Sequence, residues 1–401
     1  MTTDDVVAQG REPGGDGLPT WLRVVALVVA GAVGAFLFSR SGLLSADAPE
    51  RPGAGRASPA AAPAAALVAR LENRLVHPDR DDEGARLPDR FPAGARLVPV
   101  LSAQGDGTLV GVHDGLLFRV APEPGARWRP IGTAEQVVAS AAAPGRAVVL
   151  RDGRVVEVEV ATGRLAVEQP FPGFDAAAGW EPVDVVSAVG TRALLMRRPA
   201  AGGAGVELAL AWPLRRVEAG TDDPVRALGT VDALLGTAGD WVLGTAGSCP
   251  GPGCRVVVVS VTRDRVGARA VGPPPDWVFG VGPSAGRSHE TLVTVARADD
   301  PSERALARLV AGGENALLVQ GTEGVDLRAG LAAAPDGTVF LVTGAGEDRR
   351  LRAWDPQQPG RAAPVATQTG RIPPKATLVC VCGRPESAVR AMAHRDHAVT
   401  Y

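Results

Sequence analysis

Past residue 94 the chain is written in short apolar runs separated by turns rich in Gly and Pro. Helical spacing of apolar residues is almost absent there. Some runs alternate. In "VEVEV" (156–160) Val156, Val158 and Val160 share one side, and Glu157 and Glu159 share the other, the pattern of a strand. "ELALAW" (207–212) is a second strand candidate. "RVVVVSV" (255–261) is apolar throughout, as expected of a strand covered on both faces. An apolar run, a turn and a second apolar run recur seven times. One turn residue from each is Gly105, Pro144, Gly190, Gly239, Gly286, Pro335 and Gly383, with spacings of 39, 46, 49, 47, 49 and 48.

Each hairpin is followed by a third strand, such as "LLFRVAP", "VELALAW" or "RLRAWDP", and most units then add a shorter fourth stretch. Four strands in a unit of about 40–50 residues predict one blade of a β-propeller. The fold class expected is all-β: a seven-bladed β-propeller over residues 94–401. Tandem β-sandwiches would explain the strands but not the spacing. The last unit, "TLVCVC", "GRPE", "SAVRAMA" and "HAVTY", stops one strand short. A donor strand from about 77–94, near Phe91, is expected to close the ring and remove a free edge.

The N-terminal part reads differently. Residues 1–20 are polar and acidic, and Val24 to Phe38 is almost wholly apolar. With Trp21 and Leu22 before it and Leu43 and Leu44 after it, residues 21–44 approach the length of a membrane-spanning helix. The competing reading is a cleaved signal peptide with Ala46-Asp47-Ala48 as its cleavage site. Pro49 directly after the cut, and the distance from Phe38, favour an uncleaved anchor. Arginines flank both ends and do not set the orientation. Residues 45–93 are expected to be a Pro/Ala-rich linker. Within it Leu67, Leu71 and Leu75 predict a short amphipathic helix over 65–76.

Composition agrees with many turns: 50 Gly and 34 Pro in 401 residues. Only 4% of residues are aromatic, so the core must be Val, Leu and Ala. With 42 basic and 44 acidic residues the net charge is −2, and no global field favours nucleic acid. Lys375 is the only lysine. That bias matches a GC-rich bacterial genome, so the many arginines are not read as phosphate binders.

The residues "VVEVEVATGRLAVE" (155–168) resemble a quinoprotein-type propeller repeat, in which a strand ends in an Ala-Thr-Gly turn. The Trp usual after that turn is absent, with Val167 nearby. "APDGTVFLV" followed by "LRAWDP" (351–356) resembles a WD-type or bacterial periplasmic propeller blade. The resemblance implies the architecture and no particular activity.

Candidate chemistry is sparse. Cys249 and Cys254 flank a Pro-Gly-Pro-Gly turn, which brings them within disulfide reach and implies an oxidising compartment. A four-thiolate zinc site with Cys380 and Cys382 fits poorly, because "CVC" on a strand lacks the usual spacing. Of the five histidines, His394 and His397 ("HRDH") read as turn residues, and His289-Glu290 lacks the second histidine of a zinc protease motif. Asp222-Asp223-Pro224 and Asp299-Asp300-Pro301 read as turn formers. No nucleophile elbow, phosphate loop or dinucleotide fingerprint is present. No catalytic, cofactor-binding or metal residue is therefore expected, and the one pairing expected is the Cys249–Cys254 disulfide. The expected protein is held to the membrane by one span, with the propeller on the outer side. Its expected role is non-catalytic binding of a protein partner or a small ligand on one propeller face, with no nucleic acid. The alternative is an extracytoplasmic propeller enzyme, a hydrolase, a lyase or a degenerate quinoprotein.

Overall fold

The computed structural model describes residues 66–382, apart from short stretches of connecting chain such as 77–83, 103–106 and 366–371. The expected tail (1–20), membrane helix (21–44) and most of the Pro/Ala spacer lie outside the described residues. So do the final 383–401. Among the described residues no helix is long and apolar enough to cross a membrane.

Seven antiparallel sheets follow one another along the chain, six of four strands and one of five. They are the blades of a seven-bladed β-propeller. Blade 2 spans 98–133, blade 3 136–167, blade 4 181–231, blade 5 233–271, blade 6 277–318 and blade 7 332–364. Blade 6 has the extra strand, because 277–279 and 285–287 both pair with 290–297. Tight turns set the register. Asp114-Gly115 and Asp152-Gly153 link second and third strands, with all four residues at positive φ, as two-residue hairpins of a right-twisted sheet demand.

Blade 1 overturns two expectations. Its innermost strand is Thr377–Cys382, as the quoted "TLVCVC" suggests. Its other three strands come from the N-terminal side: Ala66–Leu71, Arg74–Val76 and Ala85–Arg86. Ala66 faces Cys382 and Arg70 faces Thr377 in the joining ladder. The helix over 65–76 is therefore a hairpin turning at Glu72-Asn73, with Glu72 at φ +53°. A spacing of four residues fits one face of a helix, and it equally fits one face of a strand. The linker expected over 45–93 is, from residue 66, part of the propeller. The ring closes with three donated strands where one was expected.

The core sits between blades. Each of the seven clusters of buried apolar residues joins two neighbouring sheets, and together they run round the ring, from blades 1 and 2 to blades 7 and 1. Val, Leu and Ala dominate, with Trp212, Trp241 and Trp354 fully buried among them. Two buried arginines secure the closure. Arg70 donates to the carbonyls of Glu72, Phe91 and Pro92 and lies 4.5 Å over the Phe91 ring. Arg349 donates to the Ala376 carbonyl at 2.7 Å and pairs with Asp326 at 3.2 Å.

Candidate functional site: a recess between blades 3 and 4

Every blade runs in the same sense, so the turns joining first to second strands share one face of the disc. On that face a recess of about 1030 Å³ opens between blades 3 and 4. Its described rim is built from the connection 141–145 in blade 3, from Thr191 and Arg192 at the start of the second strand of blade 4, and from the short helix Leu214–Glu218 between the last two strands of blade 4. Pro213 opens the helix with extended backbone, and the Leu214 amide donates to the Pro170 carbonyl at 2.9 Å, tying it to the chain between the blades.

Glu157 explains how the sequence folds here. Its strand, Arg154–Glu159, is covered on both sides. Val156 and Val158 pack toward blade 2, and Val155 packs toward blade 4. Glu157 pairs across the sheet with Val148, which faces blade 4. The polar side of "VEVEV" is thus no solvent face. It looks into the seam with blade 4 where that seam opens into the recess.

The polar groups lining the recess are mostly arginines: Arg146, Arg192, Arg215 and Arg216. Arg146 lies 3.9 Å from Glu157, whose side chain is 16% exposed. Burial pushes the Glu157 carboxyl above its ordinary value, and the positive charges of Arg146, Arg192 and Arg215 pull it partway back. Arg192 donates to the Ser140 carbonyl at 3.2 Å, and the Arg216 guanidinium lies 4.1 Å over the Trp212 ring. Ala141, Val148, Val167, Phe171, Val185 and Leu214 give the recess an apolar wall. Ser187 and Thr191 supply hydroxyls, and no histidine or cysteine is among the described lining residues. The arrangement can bind. Among the described lining residues no hydrogen bond joins a nucleophile to a base.

A second polar feature lies on the innermost strands. Arg96, just before blade 2, donates to the Val183 carbonyl at 2.6 Å and pairs with Asp184 of blade 4 at 3.3 Å. Thr237 of blade 5 donates to the other Asp184 oxygen at 2.8 Å, and Gln136 of blade 3 donates to Pro182 at 3.2 Å. One carboxylate thereby joins three blades. It is a latch and no cluster of acids.

The residues singled out in the sequence fall elsewhere. Cys249 and Cys254 form a disulfide with Cα atoms 4.7 Å apart, which removes them from any zinc site. Cys380, on the closing strand, is buried and disulfide-bonded too. Asp299 and Asp300 are exposed turn residues. Asp300 accepts from the Ser302 amide and hydroxyl, and Asp299 pairs with Arg297. His77, His289, His394, His397 and Asp222 lie outside the described residues. Sequence reasoning missed the recess entirely. Its arginines stand in two blades and are scattered from 146 to 216, with no spacing to mark them.

No protein-family model matches the chain, and no curated protein matches it in sequence. Solved structures similar to it are distant. A Mycobacterium tuberculosis puromycin-hydrolyzing peptidase is 17% identical with a TM-score of 0.43, over 69% of this chain and 46% of that one. The chain thus spans less than half of the peptidase's length. A hypothetical selenium-binding protein from Sulfolobus tokodaii is 9% identical with a TM-score of 0.45, over 75% of this chain and 89% of that one. The β-propeller domain of the Trilobed protease from Pyrococcus furiosus is 11% identical with a TM-score of 0.40, over 68% and 85%. Likenesses this remote say nothing of activity.

Proposed function

We propose that the chain is a membrane-anchored, extracytoplasmic binding protein whose propeller captures a ligand in the recess between blades 3 and 4. The observation that carries this reading is the recess itself: a large hollow on a rigid frame, lined by arginines and apolar side chains. The apolar segment 21–44 supports the anchor, and the Cys249–Cys254 disulfide supports an oxidising compartment.

Two measurements in the native host test it. After alkaline extraction of membranes the chain should stay in the pellet. Protease added to intact spheroplasts should reach the propeller. Release into the supernatant, or full protection from protease, would sink the anchor or its orientation. Crosslinking in intact cells followed by affinity purification should then place any crosslinked partner peptide at the rim residues 141–145, 191–192 or 214–218.

A second reading, an extracytoplasmic hydrolase or lyase, has one observation in its favour. Glu157 is a largely buried carboxyl whose pKa is pushed up by that burial, the property of a general acid. Turnover of a bound ligand would establish it.

A further inference from the structure

We propose that the recess between blades 3 and 4 selects a small organic anion with an apolar body, its head a carboxylate or a phosphate monoester. This rests on the binding reading above and names the ligand class.

The first argument is charge. Four guanidiniums line the recess, and among the described lining residues Glu157 is the only carboxylate. Three of the four, on three different elements, act electrostatically on that one group. The excess is local, because the whole chain carries −2. A desolvated anion placed among several guanidiniums makes charge-assisted, forked hydrogen bonds, the strongest polar contacts a protein offers.

The second argument is placement. Arg192 is held by the Ser140 carbonyl and Arg216 by the Trp212 ring. Side chains already fixed lose less freedom when a ligand arrives. The third argument is shape. The hollow is far larger than a bare oxyanion, and Val148, Phe171, Val185 and Leu214 form its wall. A volume of about 300–1000 Å³ is the range of sites for drug-sized molecules. Inorganic phosphate would satisfy the arginines and leave that wall empty. A neutral apolar molecule would fill the wall and offer the guanidiniums no charge.

Glu157 then acts as a competitor for the arginines. It is the group an incoming anion must outbid, and removing its charge should strengthen anion binding. A merely structural ion pair would give no such gain.

The test is calorimetric titration of the full chain in nanodiscs of neutral phosphatidylcholine at pH 7. The probes are 4-phenylbutyrate, phenyl phosphate, 4-phenylbutan-1-ol and inorganic phosphate. Both aromatic anions should bind at least about tenfold more tightly than the alcohol, the ratio of one charge-assisted hydrogen bond. Inorganic phosphate should bind more weakly than phenyl phosphate. Preference between the two aromatic anions identifies the head group. The double variant Arg192→Gln, Arg215→Gln should lose at least about tenfold. If that variant fails to fold, Glu157→Gln decides, and it should gain about threefold or more. Equal binding of alcohol and anions overturns the ligand class and leaves the binding reading standing. So does a Glu157→Gln variant with unchanged anion affinity. No binding of any probe, by wild type or Glu157→Gln, overturns the ligand class too. Preferential binding of phenyl phosphate followed by release of phenol upholds the ligand class and overturns the non-catalytic reading.

Discussion

Blade 3 has two sides, and they were built for different tasks. Toward blade 2 the strand Arg154–Glu159 offers Val156 and Val158, which meet Val98, Val110 and Leu117 in a seam of apolar side chains. Toward blade 4 the same strand offers Val155 and then Glu157, and there the seam parts into an arginine-lined recess. The strand, the twist and the neighbours' architecture are shared. One side chain in a period of two separates a packed joint from a hollow. A propeller can therefore place a site in a seam without disturbing the ring, provided the next seam stays closed.

Breaking the closed side should have the largest effect. Val158 is fully buried among Val and Leu. Val158→Asp would put an unpaired carboxyl where no donor waits. A loss above about 4 kcal/mol is expected, read as a collapse of the denaturant midpoint or as failure to fold. A midpoint close to the wild type would mean that the blade 2–3 seam is not the closed joint described.

Gly163 tests the same side through the backbone. It ends the Ala-Thr-Gly turn at φ +69°, and a Cβ there would come within 1.5 Å of the Ile131 carbonyl oxygen of blade 2. Gly163→Ala should cost about 1–3 kcal/mol for the backbone conformation alone, with the clash added. The measurement is a urea titration, and an unchanged midpoint would show that the two turns do not touch. The disulfide gives a scale away from both sides. Cys249–Cys254 closes a very short loop, so the double serine variant should lose about 2 kcal/mol. A far smaller loss would mean that the loop is held by its neighbours without the bond.

What could be read beforehand follows from where the information lies. Blade repetition is local. Every blade except the first is built from one continuous stretch of chain, so the spacing of turn residues revealed the propeller. The Ala-Thr-Gly turn was visible because Gly163 is demanded by one local conformation. The closure was not visible, because pairing of Ala66 with Cys382 joins the two ends of the described chain. Nothing in "AALVARLENRLV" separates a strand from a helix, since Leu67, Leu71 and Leu75 satisfy both periods. The recess was hidden for a related reason. Glu157 looks like a solvent-facing residue of an alternating strand until blade 4 is placed beside it. Whether its neighbour is water or Arg192 depends on a strand more than 30 residues away in sequence. The disulfide between Cys249 and Cys254 was legible because both ends belong to one turn.

The smallest expected effect on stability falls on the open side, and its sign is the informative part. Burial raises the Glu157 pKa in the folded protein by more than Arg146, Arg192 and Arg215 lower it. Between the unfolded value, near 4.3 for a glutamate, and the raised folded value, the native state holds more protons than the unfolded state. Stability must fall as pH rises through that window, and it is greatest below the unfolded value. Among the described residues the charged groups facing Glu157 are Arg146 on its own blade, Arg192 on blade 4 and Arg215 on the short helix. Glu157→Gln should therefore flatten this part of the stability profile while changing the stability at pH 7 by less than about 1 kcal/mol. The comparison is made by urea midpoints of both proteins from pH 4 to pH 8. The same protonation should favour an anion in the recess, so wild-type affinity for 4-phenylbutan-1-ol should stay level while affinity for an always-ionised anion such as 3-phenylpropane-1-sulfonate rises as pH falls. In Glu157→Gln the rise should vanish. If instead the wild type gained stability as pH rose and the variant did not, the arginines would be outweighing burial, and the recess would be a neutralised ion-pair network with no attraction left for an anion.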